Sequence, residues 1–152
     1  MKFSTRTLYG LKAVLVLASR FGEGSLPVSQ IAKQEGISVA YLEQILNSLK
    51  KKGLVKSVRG PQGGYILAKK PAEISLSTLF YSFESVSFAG ADGKKEISGE
   101  SGEVAIGNFI FWQKLRSSIE QGLSEVTLKD LVDQARHAKK SKLHSSNHIF
   151  HI

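Results

Sequence analysis

VSQIAKQEGISVAYLEQILNSLKKKGLVKSVRGPQGGYILA, residues 28–68, decides the fold. Its opening places Val28, Ile31 and Ala32 at helical spacing, so one face of a short helix over 28–35 can be buried. Gly36 ends that helix, being free to take positive φ. Ser38 can then cap a second helix by accepting a hydrogen bond from an orphan amide of its first turn. In that helix Leu42, Ile45, Leu46 and Leu49 recur at i, i+3, i+4, i+7 and predict a buried stripe. Gly53 stops it. LVKSVRG and YILAKK then alternate on either side of a Pro/Gly turn, which is the pattern of a β-hairpin. Helix, tight turn, helix and hairpin in this order predict a winged helix-turn-helix, mainly α with a small β-hairpin wing.

The second helix also has an outer face, made of Val39, Ala40, Tyr41, Glu43, Gln44 and Asn47. These side chains are short or hydrogen-bonding, as entry into a DNA major groove and contact with base edges require. Lys50, Lys51 and Lys52 crowd the last turn, where cations suit the helix dipole and can meet phosphates. Arg59 falls at the hairpin tip, with Gly60 and Gln62 beside it. An Arg held on a rigid tip can enter a narrow minor groove, where the negative potential is strongest. Each element also has a plainer reading. Lysine runs are usually a solvated face, an Arg beside Gly and Pro is an ordinary surface turn, and some winged helices only bind other proteins.

Charge placement favours nucleic acid. The chain carries a net +8, and residues 1–80 hold 12 Lys and Arg against 4 Asp and Glu, a surplus of eight. Residues 81–152 hold nine of each sign. The whole excess therefore lies on the half with the helix-turn-helix, as a phosphate-binding surface requires. A membrane-surface protein would need an amphipathic helix rimmed by Lys and Arg, and none stands out. No apolar run is long enough to span a bilayer and the start is no signal peptide, so a cytoplasmic protein is expected. With no cysteine there is no disulfide, thiol nucleophile or Cys-ligated cluster in this chain. Neither a Gly-rich phosphate loop nor a Ser/His/Asp set is present, so an enzyme is not expected.

Around the central stretch, Leu8, Leu11, Val14, Leu15 and Ala18 predict a first helix over 4–21 with one buried face. Lys2, Arg6 and Lys12 near its start fit phosphate contact or plain solvation equally well. After Pro71, SLSTLFYSFE (75–84) predicts a helix with Leu76, Leu79, Phe80 and Phe83 inward. Residues 85–103 are Gly/Ser-rich and aperiodic, a long flexible loop of the kind that is usually functional or disordered. A long helix follows over 104–121, roughly 27 Å at 1.5 Å per residue. Phe109, Trp112, Leu115 and Ile119 make one stripe, and Ile106, Ile110 and Phe111 lie off it. That is more apolar surface than one core face needs. The preferred reading is a dimerisation helix against a symmetry mate, and the other is burial in one large monomeric core. Thr127 with Asp130 resembles a capping box for a short last helix, with Leu128, Leu131, Val132 and Ala135 inward. The implied organisation is 1–84 winged helix-turn-helix, 85–103 loop, 104–138 dimerisation helix and C-terminal helix, and 139–152 basic His-containing tail. His144, His148 and His151 lack carboxylate or thiolate companions, so a mobile or partner-docked tail is preferred over a metal site.

With these residues in place, the chain resembles the iron–sulfur cluster regulator (IscR) family, which also includes CymR-type cysteine-metabolism repressors and NsrR-type nitric-oxide sensors. The resemblance covers about residues 1–138 and rests on ISVAYLEQIL (37–46), GLVKSVRGPQGGYIL (53–67) and the pairing of Trp112 with Thr127–Leu131. It implies a homodimeric transcription regulator, usually a repressor, on a near-palindromic operator, controlling iron–sulfur assembly or cysteine and sulfur metabolism genes. Tyr41, Glu43 and Gln44 fall where the family reads bases, and Arg59 falls on the wing. Ala40 stands where some members have Ser, so a contact there is missing. As an anion among phosphates, Glu43 should penalise sites that offer no donor such as a cytosine amine. Members with a [2Fe–2S] cluster place three Cys before the dimer helix and one branch adds a His early in it. Residues 85–106 offer no Cys, and the helix reads GNFIFW (107–112) without His. Ser98 and Ser101 cannot stand in, since soft thiolates hold such clusters. Two accounts stay open: a cluster-free regulator that answers to a partner protein such as a sulfur-metabolism enzyme, or a chain whose native cysteines were replaced, with Ala89, Ala91 and Ala105 suggestively placed.

Overall fold

The computed structural model describes residues 4–83 and 102–147. Helix α1 (Thr5–Ser19) is capped by Ser4, whose Oγ accepts from the Thr7 amide at 3.1 Å. Its inner face, including Ala13, Val14 and Leu17, packs on α2 (Val28–Glu35) and α3 (Val39–Lys51). Leu8 was expected on that face but is 50% exposed. It lies in the first turns of α1, and the buried face begins with Thr7, Gly10 and Ala13 instead.

The turn between α2 and α3 follows the sequence closely. Gly36 takes φ 65°, the left-handed region that favours glycine, and reverses the chain. Ser38 then caps α3, accepting from the Tyr41 amide at 3.3 Å. Leu42, Ile45, Leu46 and Leu49 are buried and form the centre of the core with Val14, Ile31 and Leu54. β1 (Val55–Val58) and β2 (Gly64–Leu67) pair antiparallel with Val55 opposite Leu67 and Ser57 opposite Tyr65. On its other side β2 meets Leu26, which exchanges two backbone hydrogen bonds with Tyr65, of 2.8 and 3.0 Å. That approach is why residue 64 has no side chain: a Cβ there would stand 2.1 Å from the Leu26 carbonyl oxygen.

A 3₁₀ turn (Pro71–Glu73) leads into α4 (Leu76–Phe83), capped by Ser75, whose Oγ accepts from Thr78 at 3.2 Å. Of its expected inward residues only Leu79 is fully buried, while Leu76, Phe80 and Phe83 are half-buried. The Phe83 ring lies over Gly10 of α1, where no side chain obstructs it.

Helix α5 (Glu103–Ser124) is longer than expected, 22 residues or about 33 Å at 1.5 Å each. It touches α4, and none of its residues is buried within the chain. Ile106, Phe109, Ile110, Phe111 and Leu115 are exposed, and Trp112 and Ile119 half-buried. Burial in one monomeric core is therefore not what happens. The capping box forms: the Thr127 amide and hydroxyl donate to Asp130 Oδ2 at 2.8 and 2.7 Å, and the Asp130 amide donates back to Thr127 Oγ1 at 3.3 Å.

The last helix, α6 (Leu128–Asn147), corrects the reading that it ends near Ala138. Lys, Ser and His continue a helix readily enough but leave no apolar stripe to announce it. Leu128 and Val132 are buried against the first half of the chain, Leu131 is half-buried, and Ala135 is exposed at a shallow groove rather than inward. Leu76 N–H donates to Val126 C=O and Leu128 N–H to Ile74 C=O, both at 2.8 Å, and Arg136 donates to the Ser19 carbonyl, also at 2.8 Å.

Candidate nucleic-acid interface

The stripe that buries Leu42, Ile45, Leu46 and Leu49 leaves the opposite face of α3 in solvent. Val39, Ala40, Glu43, Gln44 and Asn47 are all exposed there. Tyr41 is not equivalent to them. It is half-buried, its ring 6.0 Å edge-on from Tyr9 of α1, so its body braces two helices.

The wing is fastened to this helix at two points. Lys50 Nζ donates to Ser57 Oγ at 2.7 Å, and the Tyr65 hydroxyl donates to Asn47 Oδ1 at 3.4 Å. Ser57 and Tyr65 face one another across the hairpin, so strand alternation presents both to α3. Partial burial pushes the Tyr65 hydroxyl above its ordinary pKa, and the Glu43 carboxylate adds to the shift. Tyr65 thus stays a neutral donor. The hairpin tip is held as well, because Ser25 Oγ donates to the Gln62 carbonyl and Gly63 N–H to the Gly60 carbonyl. Arg59 and Gln62 are exposed on that tip, and Gly60 takes φ 121°.

The cations expected at phosphates fare differently. Arg6 and Lys51 are exposed. Lys2 lies outside the described residues. Lys52, the C-cap of α3, turns to the end of α4 and donates to the Ser82 carbonyl. Ser57 and Tyr65 were not singled out from sequence. Period-two alternation places them on one face of the hairpin, but only the folded register shows that this face meets α3.

Among the described residues no three His, Asp or Glu are placed to hold a metal ion. Nor does the donor chemistry suit an iron–sulfur cluster, since the chain has no thiolate. Ala89, Ala91, Ser98 and Ser101, like His148 and His151, lie outside the described residues. Ala105 and Phe109 sit in the first two turns of α5. None of the described helices is long and apolar enough to cross a membrane.

This geometry has relatives. The chain is 34% identical over 150 residues to the HTH-type transcriptional regulator IscR of Erwinia tasmaniensis, covering 98% of this chain and 89% of that protein. With IscR of Aliivibrio salmonicida it shares 37% over 133 residues, 87% of this chain and 77% of the relative. Among solved structures, T. potens IscR superposes with a TM-score of 0.72 at 38% identity, covering 91% of this chain and 90% of that one. CymR, the global cysteine regulator of B. subtilis, gives 0.71 at 30% identity, covering 88% and 98%. The winged-helix architecture is thus that of known regulators, and the function class is transcription regulation rather than catalysis. Residues 3–134 match the Rrf2 family of iron-dependent transcriptional regulators, and the chain belongs to that family.

Proposed function

We infer that the chain is a cytoplasmic homodimer that reads a near-palindromic operator and represses genes of iron–sulfur assembly or of cysteine and sulfur metabolism. The observation that carries this reading is the fastening of α3 to the wing through Lys50–Ser57 and Asn47–Tyr65. A helix for the major groove and a tip for the adjacent minor groove must be held at one angle to grip a duplex. Val39, Glu43 and Gln44 meet base edges, with Tyr41 at their margin and Ala40 offering only its methyl group. Arg59 enters the minor groove beside Gly60 and Gln62, while Arg6, Lys50 and Lys51 meet phosphates. Lys52 belongs to the same basic surface by holding the end of α3, and Lys2, outside the described residues, is proposed as a phosphate contact on its charge alone. A second copy covers Ile106, Phe109, Ile110, Phe111, Trp112, Leu115 and Ile119, and a two-fold pair explains a palindrome. The IscR and CymR relatives supply the gene classes. Lacking thiolates, the chain takes its signal from a partner protein, for which a sulfur-metabolism enzyme is the choice.

Selection of bound sequences from random duplexes tests the whole reading. A symmetric site recovered at moderate salt supports it. A folded protein that ignores duplex DNA even in dilute buffer overturns it in favour of an adaptor that binds only proteins.

A further inference from the structure

The hairpin has one free edge. Among the described residues β1 pairs only with β2, and the far side of β2 is taken by Leu26, which bonds both backbone groups of Tyr65. In an antiparallel ladder, facing residues either exchange bonds or both turn their groups outward, in alternation. Tyr65 is of the outward kind, so its partner Ser57 turns its own N–H off the free edge of β1.

Between the end of α3 and the base of the hairpin lies a shallow cleft of about 560 Å³, lined by Lys50, Val55, Lys56, Ser57 and Lys69 among others. None of the ion pairs among the described residues involves these three lysines. Lys50 is held across the cleft by Ser57 Oγ, which accepts from it and so keeps its own O–H for another partner. Three lysines line the cleft together with the Ser57 hydroxyl, which Lys50 reaches, and Ser57 adds its outward amide, so the lining is cationic and rich in donors, as phosphate oxygens require.

We propose that this cleft seats a phosphate of the DNA backbone, on the ridge between the major groove entered by α3 and the minor groove entered by the wing. The inference rests on the reading of α3 and wing as DNA contacts. With one element in each of two neighbouring grooves, a single strand must pass between them, and Lys50 and Ser57 meet on that passage. Lys56 and Lys69 are the new assignments, and charge alone did not distinguish them from solvated lysines.

The test is fluorescence anisotropy of the full chain on a random-sequence duplex across about 0.05–0.3 M salt. The Lys56→Gln/Lys69→Gln variant should flatten the slope of log affinity against log salt by about 1.8 per subunit bound, roughly sixtyfold weaker binding at ~0.1 M salt. The Lys56→Arg/Lys69→Arg variant should keep the wild-type slope. A Gln variant with an unchanged slope overturns the cleft and leaves the DNA reading standing, and so does an Arg variant that loses it. Wild-type protein without salt-dependent binding overturns the underlying reading instead.

Discussion

Replacing Gly64 by alanine should open the seam between the wing and the helix-turn-helix. A Cβ on residue 64 would stand 2.1 Å from the Leu26 carbonyl oxygen and 2.7 Å from the Pro27 nitrogen. Both neighbours are backbone, so no rotamer change relieves the overlap, and β2 must move away from Leu26. Two hydrogen bonds, of 2.8 and 3.0 Å, go with it. At ~0.5–1.5 kcal/mol each, their loss costs about 1–3 kcal/mol. Urea unfolding followed by circular dichroism should show the midpoint fall by about 0.5–1.5 M, taking a slope of ~2 kcal/mol/M. The shift also carries Ser57 and Tyr65 away from Lys50 and Asn47, so duplex affinity should drop about tenfold, the equivalent of ~1.4 kcal/mol. Gly122→Ala makes the same chemical change in α5, where, the adjoining turns of its own helix aside, nothing described lies within 4 Å of the new Cβ. Alanine is the better helix former by about 1 kcal/mol, so that midpoint should rise. A Gly64→Ala midpoint within ~0.2 M of wild type would refute the reasoning, because the approach to Leu26 would then have room to spare.

Gln44→Ala should cost ~1–3 kcal/mol at one base position and relax choice there, and equal weakening on all sequences would remove Gln44 from the base readers. Ile110→Asp places a charge in the exposed apolar face of α5 and should give a monomer by light scattering with the melting of the winged-helix core unchanged; a persisting dimer sinks the assigned interface. Asp130 accepts from the Thr127 hydroxyl and then from its amide, which hold its carboxyl below the ordinary value of 3.8. A depressed folded pKa adds stability above the unfolded value and loses it as pH falls through the folded one. The gap in melting temperature between wild type and Asp130→Asn should therefore be widest near neutral pH and close under strong acid. A gap independent of pH would assign the effect to something other than the carboxylate.

Local pattern made most of the fold legible. The stripe Leu42, Ile45, Leu46, Leu49, the stop at Gly36 and the cap at Ser38 depend on neighbours in the chain, and each took the place expected of it. What stayed hidden was non-local. That Lys50 would meet Ser57 while Lys52 turns to Ser82 depends on how the hairpin and α4 dock, which no spacing encodes. Leu8 misled because the apolar spacing counts it on the inner face, whereas the buried face runs through Thr7 and Gly10, one position out of phase with it. The extension of α6 to Asn147 was silent because a helix without an apolar stripe carries no period to detect. Surplus apolar surface on α5 was legible as surplus, since a helix apolar beyond one face needs more than one neighbour.

The short stitch that joins Val126 and Leu128 to the strand-like link before α4 has a consequence for operator design. Only a few residues separate the end of the long helix from that stitch, so the helix behaves as an outrigger bolted to its hull rather than a tethered float. Two such outriggers lashed together would fix the distance and the angle between the paired reading heads. Natural sites should then tolerate changes of letter at their centre but not of length, and adding a single base pair between half-sites should abolish joint occupancy.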